Sequence, residues 1–350
     1  MTEQADLTVR AYAEAEDAAK AELSADHLRA FSAATFRLHG YPDAAESDAA
    51  VIRYVDTMQE FNDPIRHHEK DQYSEDEARL VRLVCDRVVE LTRARFGRPV
   101  RPWQGPLTTM KMFRAVQEVS RLSGRKELTV FEIGPGSGHL GALLVAAGHR
   151  YISSDIAQGF YLWQSLLGHA LGGDAFVEGA LLDQYPYAAA GAARVVHIPW
   201  WHYATLYRAN AVPQADVVIS DHALGEMHPY AMRYTSQLIQ MMLDASPVGL
   251  LMFESIGEAR FHTEDAVRSH FARVGMEEYL GGGPTRAIAF KRKLTRELTR
   301  AFKEPPPLYN PSGSSTRLKG RDIIPIRPEE APLSYELYRF MGYDTPRPTG

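Results

Sequence analysis

The sequence predicts an α/β fold, a mostly parallel twisted sheet flanked by helices and preceded by a helical N-terminal third. Three observations carry this reading. Short apolar runs of strand length alternate with helical stretches from residue 128 onward. A glycine-rich turn at Gly134, Gly136 and Gly138 joins the first such strand to a helix. Residues 1–125 read as helical, with no internal repeat.

The composition suits such a protein. The chain has 350 residues, 45% hydrophobic and 24% charged, enough for two domains or one enlarged domain. No apolar run approaches the roughly 20 residues that span a bilayer, and the acidic start Met1-Thr-Glu-Gln-Ala-Asp6 lacks a signal core, so a cytoplasmic protein is expected. A net charge of −5 gives no general attraction to nucleic acid or anionic lipid. The expected partner is a small molecule, with the chain acting alone or as a homodimer. The single cysteine, Cys85, lies among Val81, Val84 and Val88 at helical spacing and reads as a small buried hydrophobe.

The elements follow in order. Ser74-Glu-Asp-Glu77 has capping-box form and opens an amphipathic helix to about Phe96. Gly97 to Gly105 is a turn-rich break, and a second helix covers Thr108 to Ser123. Residues 1–125 are thus expected to form a helical lid or substrate subdomain. Within it, Glu60–His68 and Pro106–Lys111 can cover a ligand, with Arg66, His67, His68 and Lys111 suited to an anionic or polyhydroxyl one.

Residues 126–293 form the second unit. Strands are expected at Leu128–Ile133, Tyr151–Ser154, Arg194–Ile198, Asp216–Ser220 and Val248–Glu254, with helices at Gln158–Leu171 and Pro229–Leu243. Met276–Leu280 and Thr285–Phe290 flank Gly281-Gly-Gly-Pro284, which resembles the antiparallel closing hairpin of the seven-stranded methyltransferase sheet. Residues 294–350 read as a Pro-rich extension with a short docking helix at Ser334–Met341.

The strongest motif is Val130-Phe-Glu-Ile-Gly-Pro-Gly-Ser-Gly-His-Leu-Gly141. Glycines at this turn let a ligand approach the backbone, and the following helix start favours an anionic group. Glu132 suits a cationic group of the same ligand. Asp155, followed by Ile156, ends the second strand, where an acid pairs with both hydroxyls of a ribose. A nicotinamide fingerprint needs a glycine where His139 stands. The spacing Gly134-x-Gly136-x-Gly138 with the closing hairpin resembles instead the Rossmann-like class I methyltransferase fold, which implies S-adenosylmethionine as cofactor.

Two further segments end strands and are rich in reactive side chains: His197-Ile-Pro-Trp-Trp-His-Tyr203 and Ser220-Asp-His-Ala-Leu-Gly-Glu-Met-His228. Ile198-Pro-Trp-Trp201 and Glu226-Met-His-Pro229, together with the glycine turn, resemble the sugar O-methyltransferase family over about residues 105–290. Leu224 and Gly225 stand where that family has an aromatic residue and an amide. The resemblance implies O-methylation of a small polar, sugar-like or natural-product acceptor. N- or carboxyl-methylation and a non-catalytic adenosyl-binding scaffold are the alternatives.

A hydroxyl acceptor needs a base within hydrogen-bond reach, and His222, Asp221, Glu226 and His228 are the candidates, with His222 first because its imidazole titrates near neutrality. Trp200, Trp201 and His202 are the candidate acceptor walls. His197, His202, Asp221, His222, Glu226 and His228 would need to converge to hold a divalent ion; none has diagnostic ligand spacing, and no metal is assigned.

Overall fold

The computed structural model describes residues 7–31, 44–55, 73–102, 106, 109–182, 193–207, 209, 211–257, 261–280 and 285–303. The expected cover segment 60–68, the glycine turn 281–284 and the extension from residue 304 lie outside the described residues.

The N-terminal part is helical. Helix α1 (Val9–Glu22) starts at Thr8, whose side chain accepts from the Ala11 N–H, and α2 (Ala25–Phe31) follows it. A 3-10 segment, Asp48–Val55, brings in Tyr54, whose ring lies where a side chain on Gly159 would have to sit. Helix α3 (Glu75–Phe96) has both arms of the expected capping box: Glu77 N–H to Ser74 Oγ at 3.2 Å and Ser74 N–H to Glu77 Oε2 at 2.8 Å. It ends at Gly97 in the left-handed conformation. Helix α4 (Met110–Ser123) is tied to α3 because Arg114 donates to both carboxylate oxygens of that same Glu77, at 2.6 and 3.0 Å. Cys85 is buried on the core face of α3, as expected.

The sheet unit then runs β1 (Thr129–Ile133), α5 (His139–Ala146), β2 (Arg150–Asp155), α6 (Gln158–Gly172), β3 (Phe176–Glu178) and β4 (Val195–Pro199). A helical turn at Trp200–Tyr203 leads on to β5 (Val217–Ile219), α7 (Pro229–Asp244), β6 (Leu250–Phe253), α8 (Glu264–Arg273), β7 (Glu278–Leu280) and β8 (Arg286–Ala289), with α9 (Arg296–Lys303) last. The apolar strands are buried end to end, as parallel strands covered on both faces must be.

The strand order is β3-β4-β2-β1-β5-β6-β8-β7. Strands β1 to β6 pair in parallel, and β8 inserts antiparallel between β6 and β7. This is the Rossmann-like class I arrangement with its closing hairpin. The sheet has eight strands rather than the seven expected, because Phe176–Glu178 adds an outer parallel strand beside β4. At three residues it is too short to show a period in sequence. Right-handed crossovers place α5 and α6 on one face and α7 and α8 on the other, since the chain leaves β1 in opposite directions.

Two latches hold this frame. Asp216, at the start of β5, accepts from Thr129 N–H, Arg125 and Ser246, joining β1, β5 and the end of α7. Lys293 donates to the carbonyls of Leu243, Asp244 and Ser246, closing the C-terminal end of α7 with a cation. Among the described residues no helix is long and apolar enough to cross a membrane.

Candidate functional site

In an open α/β sheet the strand order reverses beside β1, and a crevice opens beyond the carboxyl ends of its neighbours. Here β1 pairs with β2 on one side and β5 on the other. The segments after β1, β2 and β5 therefore meet at one place, although they are far apart in sequence.

The turn after β1 has positive φ at Gly134 (70°), Gly136 (56°) and Gly138 (72°), a left-handed succession that side chains other than glycine rarely adopt. Helix α6 braces it from behind. Trp163 Nε1 donates to Ser137 O at 2.9 Å, and Gln164 Nε2 donates to Gly136 O at 2.6 Å and to Asp155 Oδ2 at 2.7 Å. Sequence reasoning missed both residues; nothing local connects an indole and an amide with a turn almost thirty positions earlier. Asp155 also accepts from Ala157 N–H at 3.0 Å. Burial pushes its carboxyl up to about 6, and the hydrogen bonds from Ala157, Gln164 and the backbone at Gly136 and Ile156 restrain that rise.

A cleft of about 710 Å³, open to solvent, lies over this junction. Gly134, Asp155, Ile156, Trp200, Glu226 and His228 all line it, so six of the residues singled out in the sequence come together. The remaining wall is largely apolar: Ala30 and Phe31 from α2, Ile133, Tyr203, Ala223, Met227 and Ala231, with Ser154 and Thr235. Gly134 is close-packed with the loop after β5, since a side chain there would come within 3.5 Å of Ala223 Cβ.

The other candidates are placed differently. Glu132 is only 5% exposed and accepts from Tyr151 Oη at 2.6 Å rather than lining the cleft. Burial pushes its carboxyl up to about 8, the Tyr151 hydrogen bond opposes that, and the charges of Asp221 and Asp155 add to it. Those couplings put three acids near the carboxyl edge of the sheet. Trp201 packs edge-on against Tyr12 at 5.0 Å, and His202 is buried, which lowers its imidazole to about 4. Both are core residues, whereas Trp200 lines the cleft and donates to Glu16 of α1 at 2.7 Å. His197 stacks on Tyr161 at 3.8 Å, bonds Ser153 at 2.8 Å, and is lowered to about 3 by burial. The two segments meet at the cleft through Trp200, Tyr203, Glu226 and His228, but among the described residues no three His, Cys, Asp or Glu side chains form a group able to hold a metal ion.

The loop after β5 is clasped by the loop after β6. Asp221 Oδ1 accepts from the N–H groups of Glu254 and Ser255, both at 3.0 Å, and His222 N–H donates to Ser255 O at 2.8 Å. His222 itself has φ 58°, a left-handed conformation uncommon outside glycine. Its Nδ1 lies 3.1 Å from Asp221 Oδ2, and its side chain is 59% exposed at the rim rather than in the cleft wall. The hydrogen bond to Asp221 raises its pKa, burial opposes, and nearby carboxylates add to the rise. His228 caps α7: its Nδ1 accepts from Tyr230 N–H at 3.2 Å. A neutral ring so engaged carries its proton on Nε2, so His228 offers the cleft a donor and not a base.

No protein-family model and no curated protein matches the chain. Among solved structures it is similar to WbdD, at 12% identity and a TM-score of 0.33 over 51% of this chain, spanning 35% of that protein's length. It is also similar to PigF solved with SAH, at 11% identity and a TM-score of 0.30 over 59% of this chain and 67% of that one. A third is magnesium protoporphyrin IX methyltransferase (ChlM) from Synechocystis PCC 6803 with bound SAM, at 15% identity and a TM-score of 0.31 over 62% of this chain and 96% of that one.

Proposed function

We propose that this chain is an S-adenosylmethionine-dependent methyltransferase acting on a hydroxyl of a small acceptor. The observation that carries the reading is the shared cleft: the Gly134 turn and Asp155 on one side, Glu226 and His228 on the other. The residues fit the donor. The left-handed turn leads into α5, whose first N–H groups have no partner within the helix and would meet its carboxylate, and Asp155 has carboxylate lone pairs for the ribose hydroxyls. The nearby Asp155 and Asp221 make the sheet edge favourable for an ammonium and a sulfonium.

When bound, the sulfonium supplies an electrophilic methyl carbon whose C–S bond breaks with its electron pair left on sulfur. The chain's own part is to align the acceptor and take up its proton. Glu226, in the cleft wall, is the proton acceptor, and His228 Nε2–H donates to the same oxygen. Asp221 and His222 form a dyad at the rim that shapes the loop carrying Glu226. Trp200, Phe31 and Ala30 close the wall, which makes the N-terminal helices the cover.

Calorimetric titration with S-adenosylmethionine and S-adenosylhomocysteine tests this. Wild type is expected to bind at micromolar concentration, and Asp155→Ala to weaken binding by more than about tenfold, roughly 1.4 kcal/mol. Absence of binding by the wild type would overturn the reading.

A further inference from the structure

We infer that Tyr54 and Val55 are positioning residues for the donor: their segment clamps the starts of both helices that carry the donor site, so its docking and donor binding strengthen one another. This rests on the S-adenosylmethionine reading above. The site has two ends, the glycine turn that opens α5 and Asp155 that precedes α6. The segment Asp48–Val55 reaches both. At α5, His139 is the first helical residue after Gly138, and its Nε2 lies 3.2 Å from the Val55 carbonyl. Burial lowers this imidazole to about 4, so the ring is neutral, and Nε2 carries the proton that it donates to Val55. At α6, a side chain on Gly159 would come within 2.0 Å of Tyr54 Cζ, so the tyrosine ring fills the place that the glycine leaves open. The same ring meets Phe160 edge-on at 5.1 Å, and Gln158 Oε1 accepts from Ala45 N–H at 3.1 Å. Residues 158–160 follow directly on Ala157, whose N–H holds Asp155 at 3.0 Å.

The segment is of a kind that depends on its docking. It is a 3-10 run of eight residues, and that helix, with its poorer hydrogen bonds, seldom runs beyond three or four. Val51, Ile52, Tyr54 and Val55 are all buried, so packing holds its shape. An element held in this way opens locally at a lower cost than the whole fold. Tyr54 and Val55 are not in the cleft wall, so they act on the donor through α5 and α6. Undocking releases His139 and empties the notch at Gly159, which loosens the glycine turn and the Asp155 end together. A donor that needs both ends fixed binds the docked form more tightly, and by linkage it favours docking by the same factor.

The test is calorimetry with S-adenosylhomocysteine on the full chain, beside amide hydrogen exchange of residues 48–55. In wild type, saturation with this ligand is expected to slow exchange in the segment about tenfold. Gly159→Ala puts a methyl group where the Tyr54 ring sits and, alanine being the better helix former, does not weaken α6 itself. Its Kd is expected to rise about tenfold. Tyr54→Phe keeps the ring in its notch and is expected to stay within about threefold of wild type. Ser246→Ala loses a hydrogen bond to Asp216, at the start of β5 and away from the site, and controls for general destabilisation. It is expected to lower the melting temperature and leave the Kd unchanged. A wild-type Kd for Gly159→Ala, or segment exchange indifferent to the ligand, would overturn the clamp and leave the donor reading intact. Failure of the wild type to bind S-adenosylhomocysteine would remove both.

Discussion

Glu226 and His228 stand two residues apart, yet the proposed reaction gives them opposite proton roles. A backbone N–H pins the acceptor nitrogen of His228, and the carboxylate of Glu226 lines the cleft. Glu226→Gln is therefore expected to lower kcat by about 10²–10⁴ while leaving the Kd for S-adenosylhomocysteine within about twofold. Steady-state rates beside calorimetry check this, and an unchanged kcat would return the base role to His222. At this scale the glycine turn and Asp155 were legible, because both answer to local rules: φ at a strand–helix turn and an acid at a strand end. The sorting of histidines was not legible. His197, His202, His222 and His228 look alike in sequence, and only strand order and helix capping separate a core stack, a core wall, a rim dyad and a cap.

Helix α3 shows what a sequence signature at element level is worth. Ser74→Ala removes one arm of the capping box and is expected to cost about 1 kcal/mol, read as a lower urea midpoint at unchanged m-value. Glu77→Ala should cost more, since Arg114, with its side chain 7% exposed, would lose its bidentate partner. The capping motif announced the helix but not this second duty, which depends on a residue 37 positions away. The cover is a similar case. The charged segment 60–68, expected to close the site, lies outside the described residues, whereas α2 supplies Phe31 and α1 holds Trp200 through Glu16. An amphipathic helix declares that it packs somewhere; it does not declare against what.

Over the whole molecule, buried titratable groups set a pH dependence with two opposing limbs. Burial raises Glu132 to about 8, Glu178 to about 7 and Asp155 to about 6, so the native state keeps protons that the unfolded chain has released. Stability from these groups falls as pH rises above their unfolded values. Burial lowers His139 and His202 to about 4 and His197 to about 3, so the unfolded chain gains protons that the native state refuses, and stability falls as pH drops below about 6.5. The limbs balance near pH 6, where the melting temperature is expected to peak at about pH 6 in calorimetric scans. Glu132→Gln should flatten the alkaline limb alone; a melting temperature that climbs steadily to pH 9 would contradict the assignment. The order of the strands was legible as a class because alternation and a closing hairpin leave few topologies, while β3 was too short to register.

The clasp between the loops after β5 and β6 bears on how this protein would look to genetics. Any side chain at Gly257 would collide with the His222 carbonyl and crowd the Glu226 carboxylate, at a backbone φ of 82° that already favours glycine. In a library of single substitutions selected for turnover, position 257 would score as intolerant as Asp155, although it contributes no atom to donor or acceptor. Selecting the same library separately for donor-ligand retention would tell the two apart, with variants at 257 keeping their grip on S-adenosylhomocysteine and variants at 155 losing it.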